Sequence, residues 1–127
     1  MALALDTNAL SALVEGDVAL DRIITGENRL AIPVIVLGEY LFGVRHSRNR
    51  ARYQQWLRER LGLFLVLNVD SETTRAYADI RSELRSGGKP IPMNDLWIAA
   101  IARQYDIPLI TRDAHFGVVQ GLRLLSW

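Results

Sequence analysis

The sequence predicts an α/β fold in which a central, mostly parallel sheet is flanked by helices. Three observations carry that expectation. Short apolar runs of strand length alternate with longer helical segments along the 127 residues. The first run, residues 2–5, stops abruptly at Asp6-Thr7-Asn8, as a buried strand does before a helix. No internal repeat, low-complexity tract or linker divides the chain, so residues 1–127 are expected to form a single domain.

After the first strand, residues 9–15 are expected as a short helix, with Thr7 and Asn8 as capping residues and Gly16 ending it. Asp17 is placed to cap a second helix over 18–25, closed by Gly26. Residues 30–32 read as the second strand. Pro33 suits the first position of a helix running to about Val44, although its Val34-Ile35-Val36 start also has strand character. That helix is apolar almost all round and is expected to be buried on more than one side.

A basic segment, residues 45–52, leads into a helix whose Tyr53, Trp56, Leu57 and Leu61 form one stripe, ended by Gly62. Residues 64–69 read as the third strand, and Asp70-Ser71 as the start of a helix carrying Ala76, Tyr77, Ile80 and Leu84 on one face. It stops in the Gly- and Pro-rich stretch 86–92. Asn94-Asp95 opens a very apolar helix over 96–105. Residues 108–111 and 122–125 complete the strands.

Half of the residues are hydrophobic and 23% are charged, the balance of a globular protein with a substantial core. There is no cysteine, which excludes disulfides and thiolate metal sites. No apolar run is long enough to span a bilayer and no signal-peptide pattern is present, so no membrane association and a cytoplasmic location are expected. The net charge of +1 gives no whole-molecule attraction to nucleic acid. The basic residues are nearly all Arg, Lys89 being the only Lys.

Four acids stand beside or within strongly apolar sequence: Asp6, Glu39, Asp95 and Asp113. Each has an ordinary reading. Asp6 serves as a helix cap, Asp95 suits a helix dipole, Asp113 is a turn residue, and an Arg would neutralise Glu39. Glu39 is the hardest to dismiss, because an unpaired carboxylate inside a buried helix is expensive. As a set they read differently. Strand tips and helix starts at one edge of a parallel sheet converge on one cleft. Carboxylates gathered there repel one another unless a divalent cation neutralises them. Carboxylate oxygens are hard ligands suited to Mg²⁺ or Mn²⁺, and with only His46 and His115 available zinc is disfavoured. Such a site suits metal-assisted phosphodiester hydrolysis. Thr7, Asn8, Asn94 and Thr111 are the polar neighbours that either orient this set or simply cap and turn the chain.

The chain resembles a PIN-domain protein, and specifically a VapC-like ribonuclease toxin of a type II toxin–antitoxin pair. The resemblance rests on Leu5-Asp6-Thr7-Asn8, Gly38-Glu39-Tyr40, the run Asn94-Asp95-Leu96-Trp97 with Ile98-Ala99-Ala100, Thr111-Arg112-Asp113-Ala114-His115-Phe116 and the closing Gly121–Trp127 segment. It covers the whole chain in order. It implies a three-layer α/β/α sandwich, a pocket in which Asp6, Glu39, Asp95 and Asp113 bind Mg²⁺ (or Mn²⁺) and act catalytically, and Thr111 and Asn8 as supporting residues. It further implies endonucleolytic cleavage of RNA, a cognate antitoxin as inhibitor, and a homodimer. One departure is plain: where some members carry a further acid after the fourth, this chain has Ala114 and His115.

By the same resemblance, an antitoxin contact is expected around residues 42–61, where exposed arginines could also touch RNA phosphates. Tyr40, Phe42, Tyr53 and Trp56 either line a groove there or belong to the core. The alternative function is an inert PIN-like module that binds RNA or protein without cutting, which the presence of all four acids disfavours. An aspartate-nucleophile phosphatase would need a second Asp where Asn8 stands. A nucleotide-binding fold would need a Gly-rich loop after the first strand.

Overall fold

The computed structural model describes residues 2–24, 26 and 28–127. Among them, β1 (Ala2–Leu5), β2 (Arg29–Pro33), β3 (Leu65–Leu67), β4 (Leu109–Ile110) and β5 (Leu124–Leu125) form one sheet in the order β3-β2-β1-β4-β5. Every neighbouring pair is parallel. The helices are α1 (Thr7–Val14), α2 (Val18–Ile23), α3 (Val34–Arg45), α4 (Arg50–Arg60), α5 (Ser71–Ser86) and α6 (Met93–Tyr105), with 3₁₀ turns at Leu61–Leu63 and Ala114–Val118.

The chain steps outward from β1 to β2 to β3, then jumps back across the sheet to β4. Parallel crossovers are right-handed, so the helices of the two directions cover opposite faces and make three layers. The alternation of β2 shows this directly. Ala31 packs with Leu67 and Ile101 of α6, whereas the next residue, Ile32, joins the larger core cluster with Leu10, Val36 and Tyr40. A sheet covered on both faces requires strands without a polar side, which explains why Leu3, Ala4 and Leu5 are all buried. On α6, Ala99, Ala100 and Ala102 keep the buried face small enough for close approach.

Several local expectations shift. Helix α1 starts at Thr7, not at residue 9, and its cap is Asp6, whose carboxylate accepts the Ala9 amide N–H at 2.7 Å. Thr7 and Asn8 are thus inside the first turn. Helix α2 is capped by Asp17 as expected but ends at Ile23; Thr25, its expected last residue, lies outside the described residues. Pro33 is the last residue of β2 and the cap position of α3, and the Val34-Ile35-Val36 segment is helical. Helix α3 packs against α1, α4, α6 and β2, as expected for a helix covered on several sides. It nevertheless leaves Leu41 and Phe42 open, Phe42 at 68% exposure. The third strand contracts to Leu65–Leu67, because Phe64 belongs to the preceding turn and Asn68 to Asp70 lead into the capping box of α5. Helix α6 begins at Met93, so Asp95 sits in its first turn rather than ahead of it.

Candidate active site

The strand order reverses between β1 and β4, and the crevice beyond the C-terminal ends of such a pair is where open α/β sheets bind ligands. Leu5 and Ile110 are register partners, so Asp6 and Thr111 emerge side by side. Asp6 is only 3% exposed. One of its oxygens caps α1 through the Ala9 amide, and the other accepts the Thr111 hydroxyl. Thr111 in turn accepts the Asp113 amide N–H at 2.9 Å, which ties the turn after β4 to the tip of β1.

Glu39 reaches the same crevice from α3. Its two oxygens accept the Thr7 hydroxyl at 2.7 Å and the Asn94 side-chain amide at 3.4 Å, so elements from three parts of the chain orient one carboxylate. Asp95, in the first turn of α6, faces His115 across 2.9 Å. His115 Nδ1 also lies 3.0 Å from Asp113 Oδ1, and the His115 amide N–H donates to that oxygen at 2.9 Å. The oxygens of Asp95 and Asp113 and the His115 ring nitrogen lie within 4.8 Å of one another.

Electrostatics link the four acids. Burial pushes the Asp6 carboxyl above the ordinary range; the Thr111 and Ala9 hydrogen bonds oppose that rise, and the charges of Asp113 and Glu39 add to it. Burial also raises Asp95, against the His115 hydrogen bond, and again Asp113 and Glu39 add to the rise. Asp6 and Asp95 therefore sense the same two neighbours. None of the four is paired with an Arg among the described residues, and carboxylates gathered in this way form a donor set that could hold a divalent metal ion.

The structure thus brings Asp6, Glu39, Asp95, Asp113 and Thr111 together. Asn8 is different: it is exposed on α1 and its side chain makes no hydrogen bond among the described residues. Thr7 and Asn94, legible equally as caps, instead both bind Glu39. His115, noted only as a departure from an acidic pattern, turns out to lie between two of the acids. Its signal was the Asp-x-His spacing, which lets a ring reach back over the carboxylate two residues earlier.

Beside this crevice, α1, α3 and α4 enclose a cleft of about 260 Å³ lined by residues that include Thr7, Ser11, Glu39, Tyr40, Gly43 and Tyr53. The Tyr40 hydroxyl is buried there without a hydrogen-bond partner among the described residues, and burial pushes its pKa up to about 12. Of the four aromatics expected in this region, Tyr40 is core and Tyr53 half-buried, both lining the cleft, whereas the half-buried Trp56 and the exposed Phe42 lie outside it.

The PIN domain family pattern matches residues 3–122. The chain belongs to the PIN domain family. It is 32% identical over 119 residues to Ribonuclease VapC5 of Mycobacterium tuberculosis, an alignment that spans 92% of this chain and 87% of that protein. A crystal structure of VapBC2 from Rickettsia felis, bound to a DNA fragment from the promoter, superposes with a TM-score of 0.89 at 27% identity, covering 100% of this chain and 99% of that one. VapBC-5 of Mycobacterium tuberculosis, from the VapBC family of toxin–antitoxin systems, superposes with a TM-score of 0.76 at 28% identity, covering 97% and 96%. No helix among the described residues is long and apolar enough to cross a membrane.

Proposed function

We propose that this chain is a metal-dependent endoribonuclease, the toxin of a toxin–antitoxin pair, with Asp6, Glu39, Asp95 and Asp113 holding Mg²⁺ or Mn²⁺. The observation that carries this reading is the convergence of the four acids on one crevice, where Asp113 and Glu39 act on both Asp6 and Asp95 and none of the four pairs with an Arg among the described residues. The bound ion would supply an activated water and stabilise the leaving oxygen of a phosphodiester. The chain's own groups do the positioning. Thr111 fixes the rotamer of Asp6 and the turn bearing Asp113, while Thr7 and Asn94 hold Glu39. The buried wall behind Asp6 keeps bulk water off one side of the pocket. Asn8, exposed on α1, is kept as a supporting residue by the resemblance alone.

Arg45, Arg48 and Arg50 are exposed and make no ion pair among the described residues, so they are available to RNA phosphates. The antitoxin is assigned to the α3 and α4 region beside the acids, where the exposed Phe42 next to Glu39 and Asn94 leaves apolar surface for a partner to cover. A homodimer acting in the cytoplasm completes the reading. The relatives named as ribonuclease and as toxin–antitoxin complexes support it.

The test is cleavage of a structured RNA by purified protein with Mg²⁺ or Mn²⁺, with EDTA and Asp6→Asn controls. Loss of cleavage in both controls is expected. Cleavage that persists in folded Asp6→Asn protein overturns the site, and an RNA-binding wild type that never cuts favours the inert module.

A further inference from the structure

The acids alone would make an all-oxygen centre, yet the geometry around Asp95 and Asp113 includes a nitrogen. His115 Nδ1 lies 2.9 Å from Asp95 Oδ2 and 3.0 Å from Asp113 Oδ1. Neighbouring ligand atoms on an octahedral ion with bonds of about 2.1 Å are about 3 Å apart. Both contacts of the ring nitrogen therefore have the length of an edge of such a coordination shell. The space between the ring nitrogen and the two carboxylates is where a cation shared by the three would sit.

The backbone prepares this placement. Asp113 caps the 3₁₀ turn Ala114–Val118 by accepting the His115 amide N–H, which folds the imidazole back over the carboxylate. The ring is half exposed, so it is held by these two acids rather than wedged by packing. Asp95 comes from a different element, α6, so the nitrogen joins two separately positioned donors.

We propose that His115 is itself a ligand, and that Asp95, Asp113 and His115 form a mixed oxygen–nitrogen centre that takes Mn²⁺ in preference to Mg²⁺. This rests on the metal-dependent nuclease reading and refines it. Mg²⁺ is a hard ion that keeps its waters and favours oxygen donors, whereas imidazole suits first-row transition ions. A nitrogen in place of an acid also lowers the negative charge of the site, which removes part of the attraction that a purely electrostatic Mg²⁺ site relies on. The competing account is a structural ion pair in which His115 merely relieves acid–acid repulsion. It predicts no nitrogen bound to metal and no change in metal preference.

The experiment uses the full chain loaded with Mn²⁺ and read by pulsed electron paramagnetic resonance, with Mn²⁺ and Mg²⁺ affinities measured by calorimetry. Wild type and His46→Ala, which removes the other histidine, should both show ¹⁴N modulation that shifts on ¹⁵N-histidine labelling. His115→Ala and His115→Gln should lose the modulation and weaken Mn²⁺ binding about tenfold or more, as loss of a metal-site group does. Mg²⁺ binding should change by less than about threefold, so the preference for Mn²⁺ collapses. Bound Mn²⁺ without nitrogen coupling in wild type overturns the assignment, as does an unchanged preference in both His115 variants. If wild type binds neither ion, the metal-dependent nuclease reading itself fails.

Discussion

The Thr111 hydroxyl donates to Asp6 across a sequence separation of 105 residues and joins the tips of β1 and β4. Because the same oxygen also accepts the Asp113 amide, Thr111→Val removes two bonds at once. It leaves the buried Asp6 carboxylate short of a donor, which costs roughly 1–3 kcal/mol. Metal affinity should fall about 10- to 100-fold. Thermal melts and Mn²⁺ titration would check both effects; unchanged metal binding would show that Asp6 needs no orientation by Thr111.

Asp6→Asn should abolish cleavage while leaving the metal-free protein folded. An Asn oxygen can still cap α1 through the Ala9 amide, and its NH₂ can donate to Thr111 once that hydroxyl turns to accept. Circular dichroism alongside RNA cleavage tests this. An unfolded variant would mean that the carboxylate holds the fold as well as the ion.

The raised Asp6 carboxyl sets a pH dependence of definite sign. In the absence of metal the folded chain keeps the Asp6 proton at pH values where the unfolded chain, at about 4, has lost it. The native state therefore binds more protons in that window, and this contribution to stability falls as pH rises through it. Asp6→Asn has no such loss. Its stability relative to wild type in EDTA should rise from pH 4 toward neutrality, measured by denaturant unfolding. A difference flat with pH would show that Asp6 titrates normally. Saturating Mn²⁺ should shift the order toward wild type, because it stabilises more the protein that binds it more tightly.

Thr7 and Asn94 should separate positioning from folding. Thr7→Val and Asn94→Ala each release one oxygen of Glu39 on the solvent side of the core. Melting temperatures should change little, while kcat for RNA cleavage should fall about tenfold or more. Equal losses of stability and rate would mark these residues as structural caps.

Thr73 provides the opposite case. It is fully buried, binds Gln104 in the last turn of α6, opposite the end that carries Asp95, and completes the capping box with Asp70. Thr73→Ala should cost about 1–2 kcal/mol by denaturant unfolding and leave metal affinity unchanged.

The layered α/β fold was legible because short apolar runs alternate with helical segments, the first run closes sharply at Asp6, and Asp6, Asp17 and Asp70 cap three helices. The ends of elements were less so. Residues 64–69 are apolar enough for a longer strand, but Phe64 is taken by a 3₁₀ turn and the capping box of α5 claims the chain after Leu67. The exposure of Phe42 was illegible because periodicity reports apolar faces, and an apolar face waiting for a partner looks the same as one in the core. Within the candidate site, the acids could be read singly as misfits among apolar neighbours. The bonds of Thr7 and Asn94 to Glu39 could not, since local sequence around each describes a helix start equally well. His115 needed the 3₁₀ turn, which no periodicity announces.

The separation between Asp6 and Thr111 also orders the protein's birth. β1 emerges from the ribosome first, but its neighbour β4 follows only after four helices and two strands beyond α2 have been made. Long-range pairing of this kind is slow to form and comes late. A nascent chain arrested before residue 109 should bind no Mn²⁺, because it lacks Thr111, Asp113 and His115. The machine that makes this protein is itself built of RNA, and it handles only an unassembled precursor until the last strands leave the tunnel.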